Sequence, residues 1–194
     1  GTDLSRLAHL GSQGVLILAS QWANWDIRGA VEWVKGLPDG QAKQNALNSI
    51  SYQWAQQDPT GAAEYALALP TGSSRVNMLR YVANSWAQTD LDAALAWVVK
   101  LSGDENRQAM NSVLSVWAGE DVEAAARYVS KLPAGQLRDA ATMTVVSSWA
   151  YQDPSAAAAW VDGLPEGTPR DNAIQQVARA WAEADSSSAS DWIN

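Results

Sequence analysis

Six Trp-Ala pairs recur along this chain of 194 residues, at Trp22, Trp54, Trp86, Trp117, Trp149 and Trp181, spaced by 32, 32, 31, 32 and 32 residues. A period of this length constrains the fold more than any other feature. Each unit is one supersecondary element, too small to bury its own apolar face, so neighbouring units must stack to make a core. Other positions keep the same beat. Asp stands four residues after each Trp, at Asp26, Asp58, Asp90, Asp121, Asp153 and Asp185. An aromatic stands eleven after, at Trp33, Tyr65, Trp97, Tyr128, Trp160 and Trp192. Leu stands fifteen after, at Leu37, Leu69, Leu101, Leu132 and Leu164, and Pro follows it except at Ser102. Six residues beyond each Leu comes a base: Lys43, Arg75, Arg107, Arg138 and Arg170. Ten of the 11 tryptophans fall on the two aromatic registers, and Trp25 is the exception.

Each unit reads as two helices. The first opens at the Asp, a good N-cap, and in Asp58-Pro59 and Asp153-Pro154 the proline occupies the first helical position, where a missing N–H costs nothing. Ala94, Trp97, Val98 and Leu101 follow the spacing of a one-faced helix, and Ala125, Tyr128, Val129 and Leu132 repeat it. Leu-Pro then ends the helix, because proline turns its predecessor away from α geometry, and a loop glycine completes the break. The second helix aligns Ala46, Leu47, Ile50 and Trp54, and later Ala173, Ile174, Val177 and Trp181. The spacing predicts first helices of about 10 residues, second helices of about 14, and a two-residue link to the next Asp. Small residues such as Gly61-Ala62 and Ala156-Ala157 are expected to make room for the Trp of a neighbouring hairpin.

Short connections force consecutive helices to pack antiparallel. The W-A-x-x-D-P and L-P-x-G-x-x-R pattern resembles, over nearly the whole chain, the α-solenoid class of tetratricopeptide-like and HEAT-like helical-hairpin repeats. The resemblance is one of build. The period is shorter than the usual tetratricopeptide unit and the pattern is not that family's consensus, so a distinct family of the same build describes it better. The resemblance implies an all-α, right-handed α-solenoid and carries over no activity. The expected organisation is a single helical-repeat domain, 1–194. It holds an N-terminal half-repeat over 1–21, repeats over 22–53, 54–85, 86–116, 117–148 and 149–180, and a C-terminal half-repeat over 181–194.

Charge excludes several partners. With 13 Lys and Arg against 21 Asp and Glu, the formal net charge is −8, which disfavours nucleic acid and anionic membrane surfaces. No apolar run approaches the roughly 18 residues of a spanning helix, so direct membrane insertion is not expected. Cysteine is absent, which removes disulfides and thiol catalysis. The reading leans towards an exported or periplasmic chain whose signal segment lies outside this sequence.

The repeated polar residues have constructional readings. The six aspartates read as helix caps rather than a carboxylate array, and the Trp-Ala register follows the apolar face rather than a ligand-stacking ladder. A base at the start of a helix opposes the dipole, so its recurrence calls for a partner. The candidates are the aromatic near the end of the adjacent first helix, loop acids such as Asp39, Glu105 or Glu166, or an anionic ligand bound by a row of arginines. His9 is the single histidine and lies outside the repeats, which leaves a Ser-His-Asp or His-based metal site without support. No catalytic, cofactor-binding or metal-binding residues are expected, and no cofactor. The expected function is a non-catalytic scaffold for a protein or peptide, with specificity at positions that vary between units: Tyr52, Arg80, Tyr81, Gln175 and Arg179. The alternative is a structural spacer or accessory segment of a larger exported or envelope protein; an enzyme is the third reading.

Overall fold

A computed structural model describes residues 11–193. His9 and the part of the expected N-terminal half-repeat before residue 11 lie outside the described residues. The chain is all-helical, with no strand among the described residues. Its helices are α1 (Ser12–Ala23), α2 (Ile27–Lys35), α3 (Gln41–Gln57), α4 (Pro59–Ala68), α5 (Ser73–Thr89), α6 (Leu91–Val98), α7 (Gly103–Glu120), α8 (Val122–Lys131), α9 (Gln136–Gln152), α10 (Pro154–Asp162), α11 (Thr168–Ala184) and α12 (Ser186–Ile193). Short even-numbered helices thus alternate with long odd-numbered ones. None of them is long and apolar enough to cross a membrane.

The chain divides into two compact units, one ending at Thr89 and the other beginning at Asp90. In the first unit α1 packs on α3 and α3 on α5, making a layer of odd helices, while α2 and α4 pack against that layer. In the second unit α7, α9 and α11 form the corresponding layer, and α6, α8, α10 and α12 pack on it.

The long helices exceed the expected 14 residues, reaching 17 in α3, α5, α9 and α11. The reason lies in the spacing of W-A-x-x-D. The Asp N–H donates to the carbonyl of the Trp four residues earlier, at 2.8 Å for Asp58–Trp54, 2.7 Å for Asp121–Trp117 and 2.8 Å for Asp153–Trp149. That bond closes the last turn of the long helix. The same Asp then turns its carboxylate onto the N–H three residues ahead and opens the next helix. From α3 onward the Asp directly follows the long helix and serves as both its end and the next N-cap, so the expected two-residue link is absent there; between α1 and α2 it is present as Asn24-Trp25.

The other break is made by Leu-Pro and a glycine. At Gly135 φ is +148° and ψ −178°, and at Gly167 φ is +139° and ψ 177°, a region essentially restricted to glycine. The third repeat is one residue shorter here. Leu101-Ser102-Gly103 replaces Leu-Pro-x-Gly, Gly103 takes φ +58°, and α7 starts at the glycine itself.

Ala46, Ile50, Ala62, Ala66, Leu79 and Val82 are fully buried in the first unit, as are Val113, Leu114, Val129, Val145, Val146, Ala157 and Val161 in the second. Small and β-branched residues predominate at these positions. They let backbones approach closely, which is what a stack of short helices needs to exclude water.

Candidate binding surface

The registers that repeat in sequence resolve into contacts that build the units. Each cap carboxylate accepts from a backbone N–H three residues on: Asp26 from Gly29 at 2.9 Å, Asp58 from Gly61 at 3.0 Å, Asp90 from Ala93 at 3.0 Å, Asp121 from Ala124 at 2.9 Å and Asp153 from Ala156 at 3.0 Å. Asp185 accepts from the Ser187 and Ser188 N–H groups and, at 2.6 Å, from the Ser188 hydroxyl. The Ser188 bonds hold the Asp185 carboxyl below its ordinary range. Among the described residues no group of three or more His, Asp and Glu is placed to hold a metal ion.

The tryptophans pack against the aromatic eleven residues on. Ring centroids lie 5.9 Å apart in Trp22–Trp33, 5.2 Å in Trp54–Tyr65, 5.5 Å in Trp117–Tyr128, 5.9 Å in Trp149–Trp160 and 5.8 Å in Trp181–Trp192, all with tilted planes. Such pairs add about 0.5–1.5 kcal/mol beyond burial. Trp54 is only 3% exposed. Burial raises the Tyr65 and Tyr128 hydroxyls above their ordinary value; at Tyr65 Lys43 partly offsets this and Asp39 adds to it. The atoms a Cβ at Gly61 would first meet are those of the Asp58 carboxylate, its own cap; at Gly29, the equivalent position one repeat earlier, they are the Asp26 carboxylate and then the Trp22 ring at 3.1 Å.

The basic register has a partner that spacing did not reveal. The Arg75 guanidinium donates to the carbonyls of Leu67 at 2.6 Å and Leu69 at 3.1 Å. It therefore satisfies the C-terminal end of α4, where the dipole favours a cation, rather than opposing the start of its own helix. Counting back from the tryptophan, the third repeat places Asn106 at this position, not Arg107, because its loop is one residue shorter. Asn106 duly donates to the Val98 carbonyl at 2.7 Å, and Arg107 pairs with Asp104 at 2.6 Å. Lys43 pairs with Asp39 at 3.0 Å and Arg170 approaches Asp162 at 3.8 Å. Arg138 is half-buried on α9.

The residue two positions after each aromatic varies, and in three repeats it contacts an aromatic of the next repeat. The Lys35 ammonium sits 5.4 Å from the Trp54 ring centroid and 5.3 Å from that of Tyr65, while Glu32 pairs with it at 3.0 Å. Ser130 accepts from the Trp160 indole at 3.3 Å, and Asp162 from the Trp192 indole at 3.2 Å. Lys35 was not among the expected cation–π residues. Its signal was a lone Lys at a register that elsewhere holds Leu67, Val99, Ser130 and Asp162. In the first unit this lysine flanks an open cleft of about 460 Å³ between α2 and α4, floored by Trp54 and walled by Arg28, Glu32 and Glu64.

The candidate contact residues lie on the odd helices. Tyr52 on α3 is 44% exposed and Tyr81 on α5 is 40% exposed; Arg80 beside it is exposed, as are Gln175 and Arg179 on α11. The first three belong to the first unit and the last two to the second. Tyr52 and Tyr81 occupy the registers that one repeat earlier hold Ser20 and Ser49, whose hydroxyls hydrogen-bond at 3.3 Å between α1 and α3. By register the two tyrosines flank the α3–α5 seam. Ile17, at the register of Tyr81, is 55% exposed on α1 and was missed as a candidate. Trp25, off both aromatic registers, is 90% exposed. Compared with known proteins, the chain matches no family model, no curated protein and no solved structure.

Proposed function

We propose that the chain is a non-catalytic helical-repeat scaffold, a right-handed α-solenoid that binds a protein or peptide on the solvent face of its odd helices. One observation carries this reading. Ile17, Tyr52 and Tyr81 are exposed on three successive helices α1, α3 and α5, on the side opposite the packed core. A chain using these positions for construction alone would hold small polar residues there, as Ser49 and Ser20 do. Tyrosine supplies rigid contact area with little rotamer entropy to lose, and aromatic residues are enriched where proteins meet partners. The breaks in the repeat, at Trp25 and at Ser102-Gly103, bring together no acid, base and nucleophile, which favours a scaffold over an enzyme.

The test is site-specific photo-crosslinking in the full chain. A photoreactive phenylalanine replaces Tyr81 in one preparation and exposed Lys131 on α8 in another. A discrete crosslinked product from position 81, lost on Tyr52→Ser and absent from position 131, supports the scaffold. No product at either position, or the same products at both, favours a spacer with no dedicated surface.

A further inference from the structure

The first unit carries a charge pattern that construction does not require. None of α1, α3 and α5 contains an Asp or Glu, in a chain with 21 acidic residues and a formal net charge of −8. Their charged residues are Lys43, Arg75 and Arg80. Asp39 holds Lys43, and the carbonyls of Leu67 and Leu69 hold Arg75. Arg80 makes no hydrogen bond or ion pair among the described residues and stands exposed beside Tyr81. Around it the exposed face is neutral and amide-rich, with Asn48, Asn77 and Gln88.

We propose that the solvent face of α1, α3 and α5 is a docking surface for an acidic, extended peptide segment, with Arg80 as its charged anchor and Ile17, Tyr52 and Tyr81 as its apolar contacts. The proposal rests on the scaffold reading and adds the chemistry of the partner. An acidic segment is repelled by a chain of this net charge almost everywhere, and at this face it meets no carboxylate from the three helices. Like-charge repulsion elsewhere and attraction here fix both location and orientation. Arg and Tyr are the residues that most often dominate such contacts. Side-chain amides offer donors and acceptors to a peptide backbone. The extended form follows from spacing. Packed helices lie about 8–10 Å apart, and an extended polyproline II segment rises about 3.1 Å per residue with about three residues per turn, so every third side chain points at the next helix.

The experiment uses the full chain and short synthetic peptides immobilised in three sets: acidic sequences, the same sequences with Asp and Glu changed to Asn and Gln, and the same with Lys. The acidic set is retained, its amide counterparts bind several-fold more weakly, and binding falls as salt rises to about 0.5 M. Arg80→Glu lowers affinity for the acidic set about ten-fold. Because Arg80 is exposed and makes no hydrogen bond or ion pair among the described residues, this variant melts close to the parent, and Arg127→Glu on α8 leaves binding unchanged. Preferential retention of the Lys set overturns the proposal. So does binding that Tyr81→Ser abolishes but Arg80→Glu and salt leave alone, which would keep the scaffold and remove its acidic partner. No retention of any set overturns the acidic-peptide proposal and leaves the scaffold reading to the crosslinking at position 81.

Discussion

The odd helices of the two units share a core and differ in their surfaces. In α3 and α9 the buried registers coincide at Ala46 with Ala141, Ile50 with Val145, Ser51 with Val146, Trp54 with Trp149 and Ala55 with Ala150, and Thr142 is buried where Leu47 is half-buried. Outside those registers the carboxylates differ. The first unit has no carboxylate in α1, α3 or α5, whereas α7 carries Asp104, Glu105 and Glu120, α9 carries Asp139, and α11 carries Asp171 and Glu183. Where the first unit places Tyr52 and Tyr81 across a seam, the second places Ser115 and Thr144 across α7 and α9, with Thr144 donating to Asn111 at 3.1 Å. Packing constrains one set of positions and leaves the other free, so the free set is where the units have come to differ.

The comparison breaks most sharply if the shared core is not shared energetically. Trp54→Ala and Trp149→Ala each lose about 3–5 kcal/mol, the cost of a cavity plus a lost aromatic pair. Denaturant unfolding measures both, and a loss well below this range in one unit alone would show that the repeat is not one joint used throughout. A smaller effect tests the carbonyl-capping position. Arg75→Ala and Asn106→Ala each cost about 1–2 kcal/mol, because each leaves C-terminal carbonyls of the preceding helix without their donor. If Arg107→Ala costs more than Asn106→Ala, the register counted from the tryptophan is wrong.

The next comparison is an exchange. Gly61 and Ala156 hold the same place after the cap, and both donate to their Asp at 3.0 Å. Gly61→Ala therefore gains about 0.5–1 kcal/mol and Ala156→Gly loses as much, since the carboxylate already tolerates a Cβ in the second unit. A loss on Gly61→Ala would show that the Asp58 cap cannot shift as Asp153 does. The smallest effect is a pH dependence confined to the last helix. The folded Asp185 carboxyl is held below its ordinary value of 3.8, so its contribution is present above that value and lost as pH falls through the lower folded value. Protection of the α12 amides, measured against the intrinsic exchange rate at each pH, is then lower at strongly acidic pH than near neutrality, and Ser188→Ala reduces the difference. The same pH response with Ser188→Ala would assign it to another group.

Much of the build was legible because it is local. The period, the cap at each Asp and the break at each Leu-Pro follow from neighbouring residues and backbone chemistry, and the helices begin where those signals stand. The shared Asp was missed although both its bonds are local. Spacing separates Trp from Asp by one helical turn, but only the backbone shows that this turn is still helical. The partner of Arg75 was missed for a different reason. Its carbonyl targets carry no side-chain signature, so the sequence offered aromatics and acids in their place. The shift from Arg107 to Asn106 was readable in the 31-residue spacing, once counted from the tryptophan rather than from the leucine.

By itself, then, the sequence determined the period, the alternation of short and long helices and the residues that make each joint, because these depend on chain neighbours and one-faced periodicity. Tertiary structure decided which exposed residues share a surface. Ile17, Tyr52, Arg80 and Tyr81 are scattered over more than sixty positions of the chain, which no local rule connects. They meet on one face because α1, α3 and α5 pack in succession, and packing is the interaction that brings distant registers side by side.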